Sequence, residues 1–329
     1  MSNNKALKKI VVLTSGGDAP GMNAAIRAVV RTATYYGIEV YGARSGYEGV
    51  LERDIFPLEV KSVANCIQRG GTILQTARYP QFKEVAVRKQ AAEILHEFEI
   101  DALVVLGGDG SFRGAALLEK ESGIKVIGIP CTIDNDIRGT EYSIGFDTAR
   151  NTALEAIDRI RDTAFSHNRN FLVEVMGRAS GFLAADVGIA GGAEFILIPE
   201  DPIPTEELAK RLQSRRRVKS SSIIVVAEAD EPGRSFALAA ELKRLLNVEY
   251  KVCILGHTQR GGRPTLEDRK IAALMGAHAV EALLAGQSQK MMAIQTGKVV
   301  AVEFPDPALG ARLFADEELM KINRILCEA

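Results

Sequence analysis

Short apolar runs that read as buried strands alternate with helical patterns along almost the whole chain, and that rhythm leaves few architectures open. Residues 10–14, 102–106, 125–129, 171–175, 195–198, 222–227 and 251–255 are strand-like. Helical spacing over 23–35, 112–120, 148–163, 205–217, 234–246 and 266–284 separates them. Strands alternating with helices build parallel α/β sheets, so an α/β fold is expected. In such sheets ligands gather in the crevice beyond the carboxyl ends of the strands. With 329 residues and about 100–200 residues per domain, two domains are expected. No low-complexity linker or short-period repeat marks a boundary. Motif position places one near Gly145, and the chain is free to cross more than once.

The loops behind the strand-like runs carry the chemistry. Ser15-Gly16-Gly17-Asp18-Ala19-Pro20-Gly21 sits between a strand and a helix. Its glycines admit the required backbone angles and let main-chain N–H groups approach a ligand, and the helix N-terminus behind it favours anions. It is neither GxxxxGK[ST] nor GxGxxG. An ordinary strand–helix turn is the plainer alternative. Gly107-Gly108-Asp109-Gly110-Ser111 suits a nucleotide whose phosphates carry magnesium, because that ion keeps several waters and needs only one or two carboxylates. Asp109 as a mere helix cap is the competing reading.

Thr132-Ile133-Asp134-Asn135-Asp136 places carboxylates at i and i+2, which point the same way if the segment is extended. One can stay near a cation while the other takes a proton from an attacking alcohol, a recurring arrangement in phosphoryl transfer. Asp134, flanked by Thr132 and Asn135, is taken as the base, although the spacing alone does not separate it from Asp136. A solvated turn is the plain alternative. Arg78, Arg178 and Arg260 stand beside glycines at expected strand ends, where a planar guanidinium can grip phosphate bidentately and offset developing charge. His257 has no nucleophile motif with it and reads as a hydrogen-bond donor to substrate or as a packed histidine. Arg215, Arg216, Arg217 and Lys219 read first as a solvated helix end.

Composition removes other classes. A net charge of -1 argues against nucleic acid as a partner. Cys66, Cys131, Cys253 and Cys327 are scattered, which signals neither a disulfide framework nor a zinc site. Residues 1–5 lack the apolar core of a signal peptide, and no stretch nears the roughly 20 residues of a membrane helix. A cytoplasmic enzyme is expected.

Taken together, residues 13–27, 69–78, 107–111, 130–139, 173–178, 191–194 and 256–262 resemble the bacterial-type ATP-dependent 6-phosphofructokinases, in that family's order and spacing. The resemblance runs from Lys9 to about Gly286. It implies two Rossmann-like three-layer domains with mainly parallel sheets and the active site in the cleft between them. Residues 1–144 plus about 258–308 would form the larger, ATP-binding domain. Residues 145–257 plus about 309–329 would form the smaller, fructose 6-phosphate-binding one. The implied reaction moves the γ-phosphoryl of Mg-ATP to the C1 hydroxyl of fructose 6-phosphate, the committed step of glycolysis.

By position, Gly16, Arg78, Tyr79, Gly108, Asp109, Gly110 and Ser111 match residues that bind ATP, with Asp109 and Asp136 beside Mg2+. Asp134 matches the general base, and Arg78 and Arg178 would stabilise the charge passing between the oxygens. Thr132, Met176, Gly177, Arg178 and Glu228 match residues around the sugar and the transferring group. Arg169, His257 and Arg260 match contacts to the 6-phosphate, Arg169 reaching across from a neighbouring subunit. A homotetramer is thereby implied. Arg27, Arg31, Arg161, Glu194, Arg217 and Lys219 match an effector site for ADP or phosphoenolpyruvate.

Three positions depart from the family pattern. Lys251 replaces a second cross-subunit arginine, keeping the charge without the fork. Cys131 stands where ATP users have glycine and pyrophosphate users lysine. Val60 stands where regulated members place arginine, with Lys61 next to it. Gly110 matches the ATP form, since pyrophosphate users resemble Gly-Gly-Asp-Asp in that loop. Pyrophosphate as donor, a lipid or NAD kinase, and a non-catalytic sugar-phosphate or nucleotide sensor are the alternatives.

Overall fold

Strand β1 (Lys9–Thr14) is apolar at its inner positions because helices cover it on both faces, as expected of a central parallel strand. The computed structural model to which it belongs describes residues 7–215, 221–312, 314 and 316–328. The chain forms two units. The first holds Met1–Ile133, Ile137–Thr148 and Arg260–Ala311, and the second holds Asp134–Asp136, Ala149–Gln259 and Arg312–Ala329.

After β1 come α1 (Met22–Tyr35), β2 (Glu39–Ala43), α2 (Tyr47–Leu51), β3 (Ile55–Pro57), α3 (Val85–Glu97), β4 (Ala102–Gly107), α4 (Asp109–Ser122) and β5 (Lys125–Pro130). Next are α5 (Phe146–His167), β6 (Asn170–Val175), α6 (Phe182–Ala190), β7 (Phe195–Leu197), α7 (Thr205–Arg215), β8 (Ser222–Ala227), α8 (Arg234–Leu246) and β9 (Tyr250–Ile254). The chain closes with α9 (Leu266–Leu284), β10 (Lys290–Gln295), β11 (Lys298–Glu303) and α10 (Glu317–Glu328).

The first unit is built on a sheet ordered β11-β10-β5-β4-β1-β2-β3. Its five inner strands run parallel, whereas β3 and β11 pair antiparallel at the edges. On one face Val11, Leu13, Leu103 and Val105 pack with Tyr47 of α2, Leu95 of α3 and Phe112 of α4. Elsewhere in the unit α1 lies against α9. The second unit has a fully parallel sheet, β7-β8-β6-β9. Leu172, Ile224 and Val226 there pack with Leu208 and Leu212 of α7 and Leu242 of α8.

The chain leaves the first unit after Thr148 rather than at 144, and the reason is local. Buried Asp268, in the first turn of α9, accepts hydrogen bonds from the Gly145 and Thr148 amides, both at 2.8 Å, and from the Thr148 hydroxyl. Among the described residues no helix is long and apolar enough to cross a membrane.

Candidate active site

In the first unit three loops are tied together at the carboxyl ends of β1 and β4. The Ser15 amide donates to the Leu106 carbonyl at 2.9 Å, and the Gly16 amide donates to the Ala77 carbonyl at 3.1 Å. The Thr76 hydroxyl returns a bond to the Gly16 carbonyl at 3.1 Å. Ser111 Oγ lies 2.9 Å from Ser15 Oγ and 3.2 Å from the Ser15 carbonyl. Gly16, the backbone of Arg78 and the loop 108–111 are thus held side by side. Side chains built at Gly108 or Gly110 would meet no heavy atom within 4 Å, so open space lies in front of this loop.

Helix α4 begins at Asp109, with Gly108 at its N-cap. Asp109 is therefore not the side-chain cap; it sits half-buried in the first turn, where its charge suits the positive end of the helix. The same end suits phosphate once a cation accompanies it. Tyr47 was not among the expected site residues, and Ser15 was expected only as part of its glycine-rich loop. The Tyr47 hydroxyl donates to the Ser111 carbonyl at 2.7 Å, and its ring stacks on Phe82 at 3.8 Å between centroids. That stack links loop 108–111 to the segment just after Arg78 and Tyr79. Burial pushes the Tyr47 hydroxyl far above its usual pKa, so it stays a donor. No local pattern marks such a tyrosine, because its partner lies 64 residues away.

Arg78 is exposed and Tyr79 half-buried. Arg260 lies over Gly17, where a Cβ would come within 2.5 Å of the guanidinium, and its Nη1 donates to the Asp18 carbonyl at 3.1 Å. A Cβ there would displace the guanidinium. Thr132, half-buried, has its carbonyl bonded by the Ser143 hydroxyl at 2.8 Å. Cys131 is buried, and its thiol is pushed well above its usual pKa by that burial and then by the charge of Asp268.

In the second unit Asp134 is 6 % exposed and Asp136 is half-buried. Asn135 between them has φ 53°, so the segment is not extended and the i, i+2 argument for parallel carboxylates does not apply. The three residues form a turn, which asparagine tolerates better than most residues. Burial raises the Asp136 pKa, and the nearby charge of Arg178 opposes the rise.

Arg178 follows β6 at φ 54° and its side chain is exposed. Its amide lies 3.4 Å from Glu228 Oε1. Met176 is buried, and its amide donates to the side chain of Gln259 at 2.8 Å. Gly177 takes φ 145°, and a Cβ there would meet the Ser180 carbonyl at 2.7 Å. Asp136, Met176, Gly177, Arg178 and Glu228 are therefore neighbours. His257 is exposed on the 3-10 turn Gly256–Arg260 beyond β9.

Arg169 and Lys251 are not brought to this place. Asn170 pairs with Tyr250 and Phe171 with Lys251, so both cations stand where β6 and β9 begin, beside Glu249. Lys251 Nζ is 2.9 Å from the Glu249 carboxylate. Seven residue steps separate Arg169 from Met176, roughly 20 Å along a strand. Within one chain the two ends of the sheet cannot share a ligand the size of a sugar phosphate.

The expected effector residues fall into separate groups. Arg27 and Arg31 lie one turn apart on α1. Arg161 on α5 donates to the carbonyls of Gly191 and Gly192, and buried Glu194 accepts from the Ile223 amide at 2.6 Å. Arg217 and Lys219 lie outside the described residues.

Parallel α/β sheets whose strand-end loops present anion-binding backbone, carboxylates and arginine define a protein built for phosphoryl chemistry. A family described as Phosphofructokinase matches residues 9–283. The chain is 59% identical over 321 residues to "ATP-dependent 6-phosphofructokinase" of Coxiella burnetii, covering 98% of both chains. It is 53% identical over 321 residues to "ATP-dependent 6-phosphofructokinase 1" of Thermus thermophilus, covering 97% of this chain and 99% of the other.

The Pichia pastoris phosphofructokinase structure in the T-state aligns with a TM-score of 0.84 and 36% identity over 92% of this chain, which spans 35% of that one. A pyrophosphate-dependent phosphofructokinase structure from Marinobacter aquaeolei aligns at 0.83 and 26% identity, over 94% of this chain and 86% of that one. The chain belongs to the phosphofructokinase family.

Proposed function

We propose that this chain transfers the γ-phosphoryl group of ATP to the 1-hydroxyl of fructose 6-phosphate, giving ADP and fructose 1,6-bisphosphate. The observation that carries the reading is the tying of Gly16, segment 76–78 and loop 108–111 into one open, glycine-lined cradle at a helix N-terminus. It occurs in a chain 59% identical to a protein named for that activity.

The cradle would take the polyphosphate. Backbone amides and the α4 N-terminus favour its charge, and Tyr47 and Ser15 hold the loop rigid from behind. In the second unit Asp134 would accept the proton of the sugar hydroxyl as the oxygen–phosphorus bond forms. Arg178 and Arg78 would offset charge as it passes from attacking to leaving oxygens. Thr132, Met176, Gly177 and Glu228 would shape the sugar pocket, with His257 and Arg260 toward the 6-phosphate.

Magnesium fits the residues present if the nucleotide brings it. Among the described residues no three His, Cys, Asp or Glu side chains form a metal-holding group, and a Mg2+ bound mainly by phosphates and water needs only one or two carboxylates. Asp109 and Asp136 would hold it, and the ion would supply charge neutralisation on the phosphates.

The donor assignment rests on two small residues. Gly110 leaves open the space that a side chain would fill, and buried, uncharged Cys131 supplies no cation for pyrophosphate. Arg169 and Lys251 would complete the 6-phosphate site of a second copy, which calls for an oligomer; the family resemblance makes it a homotetramer. Arg27, Arg31, Arg161, Glu194, Arg217 and Lys219 would serve an ADP or phosphoenolpyruvate effector. A steady-state assay with ATP and pyrophosphate side by side is the test. ATP is expected to support turnover at least 100-fold better, and faster turnover with pyrophosphate would overturn the donor assignment.

A further inference from the structure

The loop that carries Arg178 is held at both ends by side chains, one buried and one half-buried. Gln259, with no exposure, accepts from the Met176 amide, and Glu200 accepts from the Gly181 amide at 2.9 Å. Between these anchors lies Ser180, a residue with no part in the proposed chemistry and only 2 % exposed. Its hydroxyl oxygen is 3.0 Å from the Gly177 carbonyl and 3.3 Å from the Asp134 carbonyl. Its amide also donates to Gly177, at 3.0 Å. One hydroxyl hydrogen is thus shared between two carbonyls, a three-centre arrangement.

Those two carbonyls belong to the segments that matter. Asp134 is the base, and Gly177 immediately precedes Arg178. Both segments have unusual backbone: Asn135, Gly177 and Arg178 all have positive φ. Neither segment is part of a ladder that would fix its position, so their separation depends on bonds made across the gap. The turn 134–136 also receives the Arg312 amide at the Asp136 carbonyl, at 2.6 Å. Arg312 also reaches the far end of the arginine loop, its guanidinium 4.6 Å from the centre of the Phe182 ring, whereas the Ser180 hydroxyl joins the two segments directly.

We propose that Ser180 is a positioning residue for phosphoryl transfer, its hydroxyl setting the distance between the Asp134 backbone and the Gly177–Arg178 backbone. The inference rests on the proposed roles of Asp134 and Arg178. A misplacement of about 1 Å between reacting groups can cost on the order of 100-fold in rate, so a bond made only to backbone is enough to affect turnover. The 6-phosphate contacts proposed for His257 and Arg260 lie outside the two segments, so KM is expected to change far less than kcat.

The test uses the full chain in four forms: Ser180→Ala, Ser180→Cys, Asp134→Asn and the Ser180→Ala/Asp134→Asn double variant. In Ser180→Ala, kcat is expected to fall about tenfold, with KM for both substrates within about twofold and the melting temperature nearly unchanged. Ser180→Cys keeps a weak donor of similar shape and recovers most of the loss. In the Asp134→Asn background, Ser180→Ala adds less than a further twofold effect, because the group it positions is gone. A kcat for Ser180→Ala within twofold of wild type overturns the proposal, as does an equal loss in the Asp134→Asn background. A loss that follows a collapse in melting temperature also overturns it. Asp134→Asn separates the two ideas: near-normal turnover there overturns the base assignment and the route through it. A large loss there beside a silent Ser180→Ala overturns the positioning role alone.

Discussion

Asp134 joins burial to a turn that an extended segment could not supply, and both follow from its neighbours. Buried Ile133 and Ile137 flank the segment, and Asn135 takes the left-handed conformation that bends the chain. Asp134→Ser removes the only proton acceptor proposed for the sugar hydroxyl. Turnover is expected to fall at least 100-fold with both KM values within about threefold; a fall of less than tenfold would sink the assignment. Gly110→Asp addresses the donor. Its carboxylate would enter the open space beside the nucleotide phosphates, and kcat/KM for ATP should drop by about 100-fold or more, read in a coupled assay. Asp109, Asp134 and Arg178 were singled out from residue type and strand-end context. Their geometry was not legible, because φ at Asn135 and Arg178 depends on bonds from residues far along the chain.

The helices and strands show where local pattern suffices and where it fails. Helix α9 and strand β8 match their expected spans because local signals bound them: Pro264-Thr265, with Thr265 capping the first turn, and Gly286 frame the helix, and residues 223–227 are one continuous apolar run. Helix α6 was missed: Phe182-Leu183-Ala184-Ala185-Asp186-Val187-Gly188-Ile189-Ala190 is apolar nearly all round, so it has no helical stripe to read. The β10–β11 hairpin was also missed. Its two-residue turn, Thr296-Gly297, takes positive φ at both positions without the usual Asn or Asp first residue. Helix α3 contributes a clamp of its own. Arg88, 3 % exposed, binds Glu121 of α4 through two bonds of 2.8 and 2.6 Å and donates to the Phe82 carbonyl at 2.9 Å. Arg88→Ala strands these acceptors. With Glu121 partly solvated, a loss of about 2–3 kcal/mol is expected in denaturant unfolding, and no measurable loss would discount the clamp.

Two properties belong to the molecule as a whole. Arg169 and Lys251 stand at the opposite end of the second sheet from Arg178, so one chain cannot bring them to the sugar pocket proposed around Arg178. Mixing Arg169→Ala subunits with Asp134→Ser subunits, each impaired alone, should restore part of the activity through hybrid sites; no recovery on mixing would argue that one copy suffices. The second property is pH dependence. Asp268 titrates at about 6 rather than 3.8, chiefly through burial, while bonds from Thr148 and Gly145 oppose the rise. The folded chain therefore holds a proton that the unfolded chain has released. That contribution is fully present below about pH 4 and is lost as the pH rises through 6, about 3 kcal/mol in all. Between pH 4.5 and 7.5, Asp268→Asn should gain on wild type by about 2 kcal/mol in unfolding free energy. A difference that stays constant across that interval would refute the shift.

The alternation of strand and helix, the glycine-rich strand-end loops and the family were all written in the order of residues, because periodicity and strand-end glycines are local properties. Which loops meet was not local. Ser15 finds Ser111, Tyr47 finds the Ser111 carbonyl, and Ser180 finds Asp134 across separations of 96, 64 and 46 residues. Folding alone makes those bonds, since each requires two buried polar groups with no water to replace their partner.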